Sequence, residues 1–145
     1  YTRYPAIKAA QYRRLKAIKN PLWVEAMAAV IKRQKWFRWH DAGDIQSVEH
    51  MQKIIEVAKL TPDTQHWLPT QERQYLPKPE DVPANLIIRL SAAKVDGTAG
   101  KAWSHSSTVV TNGSPSCNAP NQGGKCLDCR ACWDKSVANV SYGKH

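Results

Sequence analysis

The cysteines of this chain constrain its fold more than any other feature, because all of them lie between positions 117 and 132. Cys117, Cys126, Cys129 and Cys132 follow the pattern C-x8-C-x2-C-x2-C. Two overlapping C-x2-C units place three thiols on one tight loop, and Cys117 can reach the same point from the preceding segment. Disulfides fit this run poorly, since adjacent thiols would compete for partners. The spacing therefore predicts that four sulfurs close around one inorganic centre.

Two kinds of centre suit four thiolates, and the spacing favours one of them. The run C-x2-C-x2-C is typical of [4Fe–4S] clusters, whereas structural zinc more often uses two separated C-x2-4-C pairs. Gly123 and Gly124 would permit close approach of the backbone to an inorganic core, and Lys125 and Arg130 would offset its negative charge. We predict a [4Fe–4S] cluster, with zinc as the first alternative and disulfides or free thiols as the remaining ones.

The charge of the chain favours a polyanionic partner. Its 145 residues include 21 Lys and Arg against 12 Asp and Glu, a formal net charge of +9. The surplus is concentrated before position 39, where Glu25 is the single acid and aromatic rings are interleaved. Lysine and arginine bind phosphates, and tyrosine rings stack on bases of single strands; an ordinary solvated basic face is the alternative. The residues expected to contact nucleic acid, above all single-stranded DNA, are Arg3, Tyr4, Lys8, Tyr12, Arg13, Arg14 and Lys16.

Length and hydropathy predict one domain without a membrane segment. A chain of 145 residues suits a single domain, and no apolar stretch approaches the roughly 20 residues that span a bilayer. The opening residues also lack the apolar segment of a signal peptide. Within the domain we expect a basic helical part over residues 1–34, a β/α core over 35–111 and a cluster-binding tail over 112–145.

Hydrophobic periodicity predicts helices that alternate with short strands. Helices are expected over 1–20, 21–31 and 48–60, the last capped by Ser47, with a short one over 72–76. Strands are expected over 35–39, 65–70, 86–91 and 108–110. Because strands separated by helices form parallel sheets, and four strands are too few for an eight-stranded barrel, the predicted fold class is α/β. We expect a small open parallel sheet or partial β/α barrel with a C-terminal cysteine-rich metal-binding loop.

The carboxyl ends of the predicted strands carry the groups that hydrolytic chemistry would need. Ligands of parallel α/β proteins gather at these ends, where His40, Asp41 and Asp44 follow the first strand and Glu72 follows the second. Carboxylates bind Mg²⁺ or Mn²⁺, and a histidine can transfer a proton. The four residues are therefore candidate catalytic residues for phosphodiester hydrolysis. Asp41 and Asp44 could instead cap the next helix and hold the turn.

Three ordered sequence blocks resemble a known family. They are RYPAIKAAQYRRL, FRWHDAGDIQSVEHMQKIIEVAKLTPDTQHW, and the cysteine run followed by tryptophan and a closing V-x-Y-x-x-H. These blocks look like the phage protein family called gene product 88. The resemblance implies a viral protein whose expected location is the cytoplasm of the infected bacterial host.

Together these observations lead to three hypotheses about function. The first is a phage [4Fe–4S] protein that acts on nucleic acid as a metal-dependent nuclease on single-stranded DNA. The second is a small iron–sulfur protein for electron transfer or redox response, which would use the same four thiolates. The third is a zinc-stabilised DNA-binding module without catalytic activity.

Overall fold

The structure is a computed structural model that describes residues 4–40 and 43–144. A sheet of five parallel strands in the order β1-β2-β3-β4-β5 forms its centre. The strands are β1 (Trp36–Arg38), β2 (Gln65–Thr70), β3 (Leu86–Ser91), β4 (Ser106–Val110) and β5 (Asn139–Gly143). The α-helices are α1 (Pro5–Ala17), α2 (Trp23–Ile31) and α3 (Val48–Leu60). The predicted small open parallel sheet is confirmed.

Helix α3 covers one face of the sheet together with α2. It begins after Ser47, whose side-chain oxygen accepts a hydrogen bond of 3.0 Å from the amide of His50, the usual way in which serine caps a helix. Its apolar residues recur at helical spacing and are buried: Met51, Ile54, Ile55, Val57 and Ala58. They share one core with Leu68, Leu86 and Ile88 of the strands. This core holds the sheet against the helices.

The opposite face of the sheet is concave and forms the inside of a half-barrel. Because side chains alternate along a strand, Leu86 and Ile88 of β3 belong to the helix-side core, whereas Ile87 packs in a second core with Trp67 and Val140. All five strands contribute residues to one hollow on this side. The cysteine-bearing segment between β4 and β5 lies against the same face.

Strand β5 corrects the expected organisation of the tail. Residues 112–145 were expected to be a polar appendage after a fourth and last strand, but Asn139–Gly143 adds a fifth parallel strand beside β4. Ser107 pairs with Val140 and Val109 pairs with Tyr142. This pairing joins residues more than 30 positions apart, so local composition does not reveal it. The alternation of Val140 and Tyr142 with polar neighbours is the one local feature that indicates a strand here.

Two expected helices also differ from the structure. Helix α1 has no buried residue among those described, so the amphipathic pattern expected over 1–20 does not pack against a core. The short helix expected over 72–76 is a single 3-10 turn, Arg73–Tyr75. Among the described helices, none is long and apolar enough to cross a membrane.

Candidate functional site

The four cysteines line one pocket on the concave side of the sheet. Cys132 is buried, Cys117 is half-buried, and Cys126 and Cys129 are exposed. All four thiols are free, so the structure contains no disulfide between them. The four cysteines therefore line the same pocket, and the predicted inorganic centre stays a prediction.

The two ends of the cysteine run are held in different ways. The first end lies along the free edge of β5, where the amide of Cys117 donates to the carbonyl of Ser141 at 2.9 Å. The chain then reverses at Gly123 and Gly124, which have φ values of 66° and 74° in the left-handed region that favours glycine. Nothing described lies within 4 Å of a Cβ placed at either glycine, so they serve the turn and approach no other described atom.

The second end of the run is fastened by Arg89, which the sequence analysis did not select. This side chain is fully buried, with 0% of its surface exposed, on the concave side of β3. Its Nε donates to the carbonyl of Cys132 at 2.9 Å, and its Nη2 donates to the carbonyls of Ala131 and Asp134, both at 2.9 Å. Its Nη1 donates to the carbonyl of Val137 at 2.8 Å. One guanidinium thus holds the backbone from 131 to 137 in place. In the sequence, the feature that could have indicated this role is an arginine within an otherwise apolar strand, because a buried charge needs partners.

Cys132 is buried beside two polar groups that partly offset the effect of burial on its thiol. Its Sγ lies 3.2 Å from the Oη of Tyr142 and close to the Arg89 guanidinium. Burial raises the pKa of the Cys132 thiol above its ordinary value, while the hydrogen bond from Tyr142 and the positive charge of Arg89 lower it. Because the thiolate is the form that binds metals, these two neighbours support a ligand role that burial alone would oppose.

Trp133 ties the cysteine segment to the first strands of the sheet. Its indole Nε1 donates to the carbonyl of Phe37 at 3.0 Å. Its ring meets the edges of Trp36 and Trp67 at centroid distances of 5.7 Å and 5.3 Å, and aromatic pairs of this geometry are stabilising. The guanidinium of Arg130 lies 5.2 Å from the centroid of the Trp36 ring. This cation–π contact also holds Arg130 against the first strand.

The four thiols line one pocket, but they are not arranged as the ligands of a bound metal would be. In the described part of the chain, no three histidine, cysteine or acidic side chains are arranged as a metal site. The chemistry of the donor set nevertheless fits a four-thiolate centre, because four free cysteines face one pocket.

Asp44 lies beside the carboxyl end of β2, and its carboxylate is occupied by the backbone and a neighbouring side chain. Oδ2 accepts from the amide of Gln71 at 2.8 Å, and Oδ1 accepts from the amide of Ile45 at 2.7 Å and from the hydroxyl of Thr70. These bonds tie the loop after β1 to the end of β2. They agree with the turn-holding part of the alternative for this residue, whereas the cap of α3 is Ser47.

Among the described candidate catalytic residues, neither Glu72 nor His40 donates a hydrogen bond to the Asp44 carboxylate. Asp41 lies outside the described residues. The amide of Glu72 donates to the Thr70 hydroxyl at 3.1 Å, but its carboxylate accepts from the Gln74 side chain at 2.7 Å. His40 has a left-handed φ of 55°, and its buried Nε2 has no partner among the described residues. Burial lowers the pKa of His40 below its ordinary value, and the charge of Asp44 opposes this.

Helix α1 presents the predicted nucleic-acid residues to solvent. Lys8, Tyr12 and Lys16 are spaced four apart, so they follow one face of the helix, and Tyr4 is the residue immediately before its first turn. The tyrosine side chains are well exposed, 64% for Tyr4 and 57% for Tyr12. Arg13 and Arg14 are exposed as well, and Arg3 lies outside the described residues. Rings and ammonium groups therefore alternate along an accessible surface.

Comparison with known proteins gives one relationship. Neither a curated protein nor a solved structure matches the chain. The family model described as gene product 88 matches residues 1–135, which include the exposed face of α1 and all four cysteines. The chain therefore belongs to the gene product 88 family.

Proposed function

We propose that this protein holds a [4Fe–4S] cluster on Cys117, Cys126, Cys129 and Cys132 and acts on single-stranded nucleic acid. The observation that carries the proposal is that four free cysteines line one pocket. Family membership is consistent with a phage gene product, and we propose the cytoplasm of the infected host as its location. A bound cluster would supply one-electron redox chemistry and a covalent link between distant parts of the tail.

The residues around the thiols have roles of their own in this proposal. Arg89 and Tyr142 stabilise the thiolate of Cys132, and Arg89 also fixes the backbone that carries it. The Trp133 ring, packed between Trp36 and Trp67, shields this side of the pocket from water. The cluster thus has mainly a structural role, since the exposed stretch from 123 to 129 contributes little apolar burial.

The metal content of the protein tests the first part of the proposal. Protein prepared without oxygen should contain about four iron and four sulfide per chain and absorb broadly around ~400 nm. Replacing any one cysteine with alanine should remove most of the iron, because the cluster would lose one of its four thiolate ligands. Ser116→Ala is the matched control, since Ser116 lines the same pocket and supplies no thiol. A colourless protein with one zinc per chain would exclude the cluster and favour the zinc-stabilised module.

Binding of a labelled single strand tests the second part. We expect fluorescence anisotropy to show binding that weakens as salt rises, because Lys8 and its neighbours neutralise phosphates. Tyr12→Ala should lower the affinity roughly tenfold, since one stacked base contributes about 1–3 kcal/mol. Lys8→Gln should flatten the dependence of affinity on salt. Lys101→Gln, a charge change on an exposed residue outside α1, is the control, and equal effects of the two lysine variants would exclude α1 as the interface.

The same labelled strand separates a nuclease from a binding module. In the hydrolytic form of the proposal, Asp41, Asp44 and Glu72 would hold Mg²⁺ or Mn²⁺ and His40 would transfer a proton. The position of Asp44 and Glu72 at the carboxyl end of β2 supports this assignment. Cleavage that disappears in the combined Asp41→Ala and Asp44→Ala variant would agree with it. If the strand is bound but is not cut with either metal, the nuclease activity is excluded and the protein is a binding or redox protein.

A further inference from the structure

The hollow of the half-barrel contains a second pocket, which we name the strand-end pocket. Its volume is about 530 Å³, and its lining includes Arg38, Trp67, Ser91, Ser107 and Tyr142, one residue from each of the five strands. This volume lies in the range of small-molecule sites. The pocket also lies toward the carboxyl ends of parallel strands, where ligands of α/β proteins bind.

The lining of the strand-end pocket is rich in hydrogen-bond donors and positively charged. Arg38 and Lys144 contribute two cationic side chains, and none of the described lining residues is acidic. The hydroxyls of Ser91 and Ser107 lie 3.0 Å apart and form a pair on neighbouring strands. Asp96, which interacts electrostatically with Lys144, lies outside the lining. A ligand with several negative oxygens would complement such a surface.

Trp67 forms a rigid aromatic part of the pocket lining. Only 6% of this residue is exposed, and its indole Nε1 is a buried donor without a partner among the described residues. Buried donors in folded proteins almost always have a partner. The Arg38 guanidinium stacks 4.8 Å from the centroid of the Trp67 ring, so a cation and an aromatic face line the pocket side by side.

We infer that the strand-end pocket binds the phosphate group of an organic phosphomonoester of about nucleotide size. A phosphate group, with several acceptor oxygens, matches the planar guanidinium, the ammonium group and the serine hydroxyls of the lining better than a single carboxylate does. The volume exceeds that of phosphate alone, and the Val109, Pro69 and Trp67 side chains offer apolar contact for an organic body. This inference goes beyond the proposed function, because it requires neither a metal on the cysteines nor a strand on α1.

Such a phosphomonoester has two possible sources, a free nucleotide and the phosphorylated end of a nucleic-acid strand. The chemistry recognised by Arg38 and Lys144 is the same in both cases. The difference lies in whether the bound group is part of a longer chain. Competition between a free nucleotide and short strands distinguishes the two.

Calorimetric titration of the whole protein with deoxyadenosine monophosphate tests the inference. We expect saturable binding, and deoxyadenosine without phosphate should bind at least about tenfold more weakly. Lys144→Gln should weaken binding of the monophosphate about fivefold to tenfold and leave binding of the nucleoside unchanged. Lys59→Gln is the matched control, because this exposed residue lies at the last turn of α3, which packs on the other face of the sheet. Arg38→Gln gives a second variant, with folding checked by circular dichroism.

Several outcomes would overturn the inference. They are the absence of binding of both the monophosphate and inorganic phosphate, equal affinity for nucleotide and nucleoside, and identical effects of Lys144→Gln and Lys59→Gln. Displacement of the nucleotide by a strand with a phosphorylated end, but not by one with a hydroxyl end, would identify strand ends as the source. Displacement by neither strand would identify a free nucleotide. Iron content and the tyrosine dependence of strand binding do not involve Lys144, so failure here is distinct from failure of the proposed function.

Discussion

Replacement of Arg89 with methionine is expected to lower the free energy of unfolding by about 4 kcal/mol or more and to release the cysteine segment from the sheet. The side chain is fully buried and donates to the carbonyls of Ala131, Cys132, Asp134 and Val137. Methionine would fill much of the volume but would leave these carbonyls without their donor. Urea unfolding, followed by tryptophan fluorescence, measures the stability, and the iron content of the proposed cluster reports whether the cysteine segment still binds it.

Two further arginine variants make this expectation specific. Arg89→Lys should also lose most of the stabilisation, because one ammonium group cannot replace a planar guanidinium that donates in several directions. Arg73→Met is the control: Arg73 is exposed and its side chain makes one described hydrogen bond, to the carbonyl of Ala99, so its loss should cost less than about 1 kcal/mol. If the Arg89→Met variant kept the stability and iron content of the original protein, Arg89 would not be the anchor of the tail. A lysine variant as stable as the original would show that charge alone is sufficient.

The parts of the fold that depend on nearby residues could be predicted from the sequence. Strands β2 and β3 have the predicted bounds 65–70 and 86–91, and β3 is a mostly apolar run. Helix α3 was placed at 48–60 because Ser47 and the helical spacing of apolar residues agree. The parallel sheet followed from the order of strands and helices.

The missed features depend on contacts between residues that are far apart in the chain. Strand β5 is stabilised by pairing with β4 and by burial of Val140 against Cys132, neither of which local composition reveals. Arg89 reaches carbonyls more than 40 positions away. In the candidate site, the cysteine spacing is local and indicated residues that line one pocket, while the cluster itself stays a prediction. The hydrogen bonds that occupy Asp44 depend on the position of β2, which local sequence does not reveal.

The buried histidines on the helix side of the sheet are a further feature that the sequence did not indicate. His66 is 1% exposed, and its Nδ1 accepts from the indole of Trp39 at 3.1 Å. Its Nε2 therefore carries the proton and donates to the Thr61 hydroxyl at 2.7 Å. His50 is 2% exposed, and its Nδ1 accepts from the amide of Gln46 at 3.2 Å. Both rings are thus held in the neutral form by burial and by their partners.

Mild acid is consequently expected to destabilise the protein. Burial lowers the pKa of His66 from 6.5 to about 4, and burial, followed by the charges of His40 and Lys53, lowers the pKa of His50 to about 4. Between about pH 6.5 and about pH 4, the unfolded chain binds protons that the folded chain does not. The free energy of unfolding therefore falls as the pH drops through this interval. Each histidine should contribute a loss of roughly 3 kcal/mol, and no further loss below its folded pKa. Urea unfolding at pH 7 and at pH 4.5 measures the difference.

The variant His66→Gln separates this effect from the titration of carboxylates, because it removes one titrating ring and keeps an acceptor for the Trp39 indole. It should be less stable than the original at pH 7, where the neutral histidine packs well, and should lose less stability on acidification. The difference between the two proteins across the same pH interval isolates His66, since both contain the same acidic residues. An equal loss in both would mean that His66 accepts its proton as readily in the folded state as in the unfolded chain, and that its burial does not link protonation to unfolding.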